Sequence, residues 1–219
     1  MVNTLTKRKE IIKKNGYPVE VHHVTTEDGY IVTLHRLPRH MSEKAPTLVQ
    51  HGIFHSSADS IISGPKRYAL WDAGYDVWLG NSRGNYYSRK HVNMTKSDPK
   101  FWNFSWHDMG VHDIPAVIDY ILDHTGHKDL FFIGHSMGCA MFFVGMAAKP
   151  RYNDKIRVMF GLGPASYMHN GKSRKMELVS EGLYDGSKRV CVELLDRALV
   201  HCDGNTSAVR PDVSGVVSK

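Results

Sequence analysis

Cysteine is scarce in this 219-residue chain, which holds only Cys139, Cys191 and Cys202. That excludes a disulfide-built scaffold. Cys139 falls in an apolar helical pattern and reads as a small buried hydrophobe, while Cys191 and Cys202 are left open as a pair that an oxidising compartment would join. Long apolar runs are also missing. The longest, Leu130–Ile133 and Cys139–Ala148, fall well short of the roughly 18 residues of a membrane-crossing helix. Met1–Glu10 has no apolar centre of the kind a signal peptide needs. There is no internal repeat and no low-complexity tract. Acidic residues are outnumbered, 22 against 28 basic, giving a net charge of +6 to which Lys7, Arg8, Lys9, Lys13 and Lys14 contribute much. A short basic end of this kind reads as a solvated helix face. No nucleic-acid motif accompanies it, so a nucleic-acid partner is not expected.

What is present is an ordinary globular balance, 42% hydrophobic and 23% charged, of a size for one domain. Fourteen histidines make the charge rise steeply in acid. Val19–Thr25 and Tyr30–Leu37, joined by the turn Glu27-Asp28-Gly29, predict an antiparallel hairpin. Thr47–Gln50, Tyr75–Leu79, Leu130–Ile133 and Ile156–Leu162 predict four more strands. Helices are expected over Pro65–Ala73, over Trp106–His124 with a kink or a delayed start at Pro115, and over Ser136–Ala148. A loop is expected from Asn81 to Asn103. The alternation after the hairpin implies an α/β fold, a mostly parallel, doubly wound sheet. Trp71, Trp78 and Trp102 read as packing residues.

The chemistry is concentrated in Gly134-His135-Ser136-Met137-Gly138. It follows an apolar strand and opens a helix, which is the setting of a G-x-S-x-G nucleophile elbow. The tight turn forces Ser136 into a strained conformation and leaves no room for side chains at Gly134 and Gly138. Ser136 is the candidate nucleophile, and the Met137 N–H the first candidate oxyanion donor. A second donor has to come from the loop after the third strand, where His51-Gly52-Ile53-Phe54 makes the Ile53 N–H the candidate. His51 precedes the serine and is read as a loop histidine rather than the general base. His135 is expected to point away from Ser136 Oγ. Three sequons occur, at Asn93, Asn103 and Asn205, and lean weakly toward a secretory history.

Several stretches resemble the acid lipase family of α/β-hydrolases, which includes gastric and lysosomal acid lipases and insect relatives. They are Gly16-Tyr17-Pro18, Thr26–Tyr30, Gln50-His51-Gly52, Asp72–Asn85, Phe101–Trp106, Asp113–Ala116 and the elbow. Asp72–Asn85 is the most specific. The likeness runs from about Gly16 to Pro164. It implies ester hydrolysis in neutral lipids, triacylglycerols or cholesteryl esters, by a serine acyl-enzyme, with no metal or organic cofactor and with a lipid–water interface as partner. By position, Ser136 matches the family nucleophile and Met137 and Ile53 its oxyanion donors. Met137 stands where many members have Gln, and only its backbone is needed.

The resemblance implies three regions: a basic segment 1–15, a hydrolase core 16–166 ending after its sixth strand, and a divergent tail 167–219 that is a candidate remnant of a cap. The family places an acid and a final histidine after later strands. Only His169 and His201 follow Ser136 here, and neither, with Asp185 or Asp196, follows a predicted strand. Impaired catalysis is therefore expected, the alternative being an inactive fragment or a lipid-binding pseudo-lipase. A sheet ended early also implies poor solubility or stability. The family implies a secreted or lysosomal location, whereas a chain genuinely starting at Met1 without a signal peptide would be cytoplasmic.

Overall fold

The computed structural model describes residue 12 and residues 15–39, 42–62 and 68–166. Most of the basic segment and the whole of 167–219 lie outside these, and with them the expectations for Cys191, Cys202, His169, Asp185, Asp196, His201 and Asn205. Among the described residues the strands are β1 (Glu20–Thr25), β2 (Tyr30–Leu37), β3 (Thr47–Gln50), β4 (Val77–Leu79), β5 (Lys90–His91), β6 (Leu130–His135) and β7 (Ile156–Leu162). They form one mixed sheet in the order β1-β2-β4-β3-β6-β7, with β5 on the edge of β2. β1, β4 and β5 run antiparallel to β2, whereas β4, β3, β6 and β7 are mutually parallel. The hairpin register, Glu20↔Arg36 to Thr25↔Ile31, is set by the turn at Gly29, whose φ of +93° an L side chain rarely adopts.

The helices are α1 (Ser57–Ile62), α2 (Ala69–Asp72), α3 (Trp106–Asp108), α4 (Ile114–Thr125) and α5 (Met137–Ala148). Three expectations are corrected. The sixth expected strand is the seventh in the chain, because the two-residue β5 interrupts what reads as a loop. Helix α1 lies where no helix is expected. Of the expected Pro65–Ala73 helix, Ala69–Asp72 is helical and residues 65–67 lie outside the described residues. The expected Trp106–His124 helix is divided by a π-helical stretch, Met109–Asp113, and Pro115 sits in the first turn of α4. Proline is tolerated there because its missing N–H would have no intrahelical partner.

Period-two alternation sends side chains to opposite sides of the sheet. Leu34, Leu48, Trp78 and Phe132 enter a large core with Ile114, Ile118 and Ile121 of α4 and Met141 and Phe142 of α5. Leu37, Val77 and Leu79 enter a smaller one with Ile12 and Tyr68, flanked by Tyr17 and Trp71. Trp78 is completely buried, as expected. Trp102 packs at the surface rather than in the core: it is 45% exposed, its ring set edge-on against Phe101 at 5.0 Å and near Phe104, with Nε1–H donating to the Lys96 carbonyl. Cys139 is fully buried, as its apolar surroundings require.

Candidate active site

Ser136 stands between the end of β6 and the first residue of α5, with φ 51° and ψ −116°. A non-glycine residue in this region costs about 1–3 kcal/mol and persists only when its surroundings hold it there. Three backbone bonds do so. Ser136 N donates to the Leu162 carbonyl at the end of β7 (2.9 Å), and its own carbonyl accepts from Cys139 N (3.0 Å) and Ala165 N (3.3 Å). The flanking glycines have a steric cause. A Cβ on Gly134 would lie 2.9 Å from Cys139 N, and one on Gly138 would lie 2.5 Å from the Gln50 carbonyl oxygen. The elbow is thus wedged between the start of its own helix and the end of β3. Met137 opens the twelve-residue α5, so its N–H is one of the unpaired donors at a helix N-terminus, where partial positive charge collects.

The loop after β3 lies directly against the elbow. A Cβ on Gly52 would come within 3.0 Å of Ser136 Cβ and 2.9 Å of His135 Nδ1. The next residues turn outward, with Ile53 38% and Phe54 68% exposed and Phe54 at φ 60°. The structure therefore brings Ser136, Met137 and the Gly52–Ile53 peptide together. Among the described residues, no histidine is hydrogen-bonded to the Ser136 hydroxyl. His135, the last residue of β6, is exposed and stacks on His55 at 5.5 Å between ring centroids.

His51 is buried and fully engaged. Its Nδ1 lies 2.7 Å from the Gly52 carbonyl, and its Nε2 accepts from the Ser82 N–H (3.1 Å) and faces Asn85 Nδ2 (3.1 Å). Burial pushes its pKa below the ordinary histidine value, which the Gly52 contact and Asp59 only partly oppose. It is a loop histidine, as its place in the chain suggests.

The loop that carries Ser82 and Asn85 is anchored by Arg83. Its guanidinium is 1% exposed, pairing with Asp113 (2.6 Å) and Asp28 (2.5 Å) and lying 4.0 Å from the Tyr30 ring centroid. Burial works against the Arg83 charge, but Asp113 and Asp28 outweigh it and hold the proton more tightly than in an isolated arginine. Sequence reasoning named Asn81–Asn85 only as part of a resemblance and missed these roles, because the partners lie 30 or more residues away. Beyond the loop, Asn93 and Asn103 are exposed.

A family model described as "alpha/beta hydrolase fold" matches residues 46–197, and one described as "Partial alpha/beta-hydrolase lipase region" matches residues 8–64. Lipase 1 of Drosophila melanogaster is 50% identical over 161 residues, covering 72% of this chain and 36% of that protein. Human lipase member N is 43% identical over 164 residues (71% and 41%), and bovine gastric triacylglycerol lipase 38% over 186 residues (80% and 47%). The chain spans less than half the length of these lipases. Among solved structures, an esterase of Pyrococcus furiosus matches 78% of this chain and 59% of its own with a TM-score of 0.55 at 18% identity. The naproxen esterase of Bacillus subtilis matches 87% and 57% with a TM-score of 0.54 at 17% identity. These two support the fold alone. A strand-to-helix serine turn on this sheet, matched by a model over more than half of the residues, identifies the chain as a member of the α/β-hydrolase family, with animal lipases as its relatives.

Proposed function

We propose that the chain carries the nucleophile half of a lipase, a carboxylic-ester hydrolase acting on neutral lipids such as triacylglycerols or cholesteryl esters. The whole protein would work at a lipid–water interface, in a secreted or lysosomal setting. Ser136 attacks the ester carbonyl through Oγ. The carbonyl oxygen gains charge as the tetrahedral intermediate forms, and the N–H groups of Met137 and Ile53 receive it. Collapse expels the alcohol and leaves an acyl-Ser136 ester, which water then hydrolyses. This chemistry needs no metal or organic cofactor. The observation that supports the reading is the close approach of the loop after β3 to the strained Ser136, where a Cβ on Gly52 would lie 3.0 Å from Ser136 Cβ. A histidine must take the Ser136 proton, and among the described residues none stands at hydrogen-bond distance from its hydroxyl.

A fluorophosphonate probe tests the reading, because it reacts with an activated serine without requiring turnover. We expect one label, mapped to Ser136 by peptide mass spectrometry and absent from Ser136→Ala. A folded chain that takes no label would be a lipid-binding relative rather than an enzyme. Gly52→Ala should lower labelling by about tenfold or more, since its Cβ pushes the donor loop off Ser136.

A further inference from the structure

The Gly52 carbonyl and the Ile53 N–H belong to one peptide group, trans and planar, so they point in opposite directions. Whatever holds the carbonyl therefore aims the N–H. Two donors hold it: the His55 backbone N–H at 3.3 Å and the His51 ring at 2.7 Å. The ring's protonation follows from its other contact. Ser82 N is a backbone amide and can only donate, so His51 Nε2 must carry a lone pair. In the neutral ring the proton then sits on Nδ1 and points at the Gly52 carbonyl.

The ring is itself fixed from behind. The Asn85 amide lies 3.1 Å from Nε2 and 3.0 Å from the Asn81 side-chain oxygen. Gln50 Nε2 donates to Ser82 Oγ at 3.0 Å. Gly80 leaves the space that the Gln50 side chain occupies. Every member of this chain is buried or half-buried, and it ends on the peptide that faces Ser136.

We infer that His51 is a positioning residue for the oxyanion site: its Nδ1–H sets the tilt of the Gly52–Ile53 peptide and so the aim of the Ile53 N–H at Ser136. The inference rests on the lipase reading for its consequence but not for its geometry. Protonating Nε2 would set two donors, the ring N–H and the Ser82 N–H, against each other and release the ring. The charged groups facing it are Asp59 of α1, His55 of its own loop and His135 of β6, with burial as the largest influence and in favour of the neutral form.

Three variants separate this role from plain packing. Asn places an amide N–H near the position of Nδ1, Gln keeps an acceptor near Nε2 but not the short donor, and Phe keeps only ring volume. In folded protein, checked by circular dichroism and thermal melting, Phe and Gln should slow fluorophosphonate labelling by about tenfold or more. Asn should recover most of that loss. The 15N–1H resonance of Ile53 should shift in Phe and Gln and stay near its wild-type position in Asn. The labelling rate of wild type should fall more steeply in acid than that of Asn. Equal labelling in all three variants with an unmoved Ile53 resonance would overturn the inference. A wild-type chain that takes no label overturns the lipase reading instead, and the Ile53 resonance alone then decides the positioning role.

Discussion

On the side of the sheet that carries Leu48, Trp78 and Phe132, α4 and α5 lie across the strands and the core is closely packed, with Leu48, Trp78, Ile118, Ile121, Phe132 and Phe142 completely buried. On the side that carries Leu37, Val49, Val77 and Leu79, the packing among the described residues comes from α2 and residues near Tyr17, and these residues border a cavity of about 680 Å³ lined also by Trp71, Ile133 and Leu162. The same strands supply both sides, so the difference does not lie in their hydrophobicity. It lies in what covers them. A parallel strand is apolar on both faces because helices are meant to lie on both. Ser136 sits where the closed side ends, its backbone fixed by β7 and α5. The loop that faces it is fixed from the sheet's ends by Arg83, His51 and Gln50. Rigidity at the site is thus drawn from the closed side and the loops, and the open side contributes little to it.

Truncation tests this most sharply. Phe132→Ala on the closed side should cost about 3–5 kcal/mol, because the surrounding core is already packed and cannot collapse into the gap. Leu79→Ala, on a strand that pairs directly with β3, should cost about 2 kcal/mol or less, because it enlarges a space that already exists. Urea unfolding monitored at Trp78 and its neighbours would give both values. Comparable losses per methylene removed would mean that the open side is filled in solution, and the contrast would fail.

The closed side was also the more legible in the sequence, for a physical reason. Its elements are long enough to show a period, as in Val117, Ile118, Ile121 and Leu122 of α4, and the elbow is local, so Gly134, Ser136 and Gly138 announce it together. Trp102 packs, but at the surface, because which face an indole takes is decided by its neighbours Phe101 and Phe104 rather than by its own type. Helix α1 was missed although Ser56 and Asp59 carry a start signal, the Asp59 carboxylate accepting from Ser56 N at 2.6 Å. Ser105 and Asp108 make the same box before α3. The π-helical stretch left no local trace. It lies backbone to backbone against α5, and contacts between elements are not written in either one alone. The network around His51 was hidden likewise, since Ser82 and Asn85 reach it from another loop.

That inter-helix contact gives the second prediction. A Cβ on Gly110 would meet the Met141 carbonyl at 2.7 Å, and one on Gly145 would meet the Gly110 carbonyl at 2.6 Å. Two glycines therefore bring the π-helical stretch and α5 together backbone to backbone. Gly145→Ala gains up to about 1 kcal/mol of helix propensity and should still destabilise, by a net of about 1–3 kcal/mol, because a backbone oxygen cannot move aside as a side chain can. A surface Gly126→Ala variant serves as contrast. Its Cβ meets nothing within 4 Å, and its cost should come only from the φ of +69°. If Gly145→Ala proves neutral or stabilising in thermal melts, the close crossing is not what divides the helix.

The smallest effect expected concerns acid, and it separates the two sides by the groups at their edges. Beside Trp78, Arg36 is paired with Asp76 (2.9 Å) and Glu20 (2.9 Å), and its Nη1 also lies 3.0 Å from His124 Nε2. His22 and Tyr120 complete the cluster. A guanidinium can only donate, so His124 must offer a lone pair and be neutral there. Burial and the adjacent Arg36 charge accordingly hold its pKa below the ordinary histidine value, against the weaker pull of Glu20 and Asp76. A depressed folded-state pKa means that the unfolded chain binds the proton first. The stabilising contribution is whole above about pH 6.5 and is lost as the pH falls through the folded value. His51, beside the open cavity, has the same sign. His124→Gln keeps an acceptor for Arg36 and cannot be protonated, so the decline in melting temperature from pH 7 to pH 5 should be shallower than in wild type. The slope that remains should include the share of His51 and should shrink again in the double variant with His51→Asn. If the single variant follows the wild-type curve throughout that range, the closed side is not acid-sensitive at Arg36.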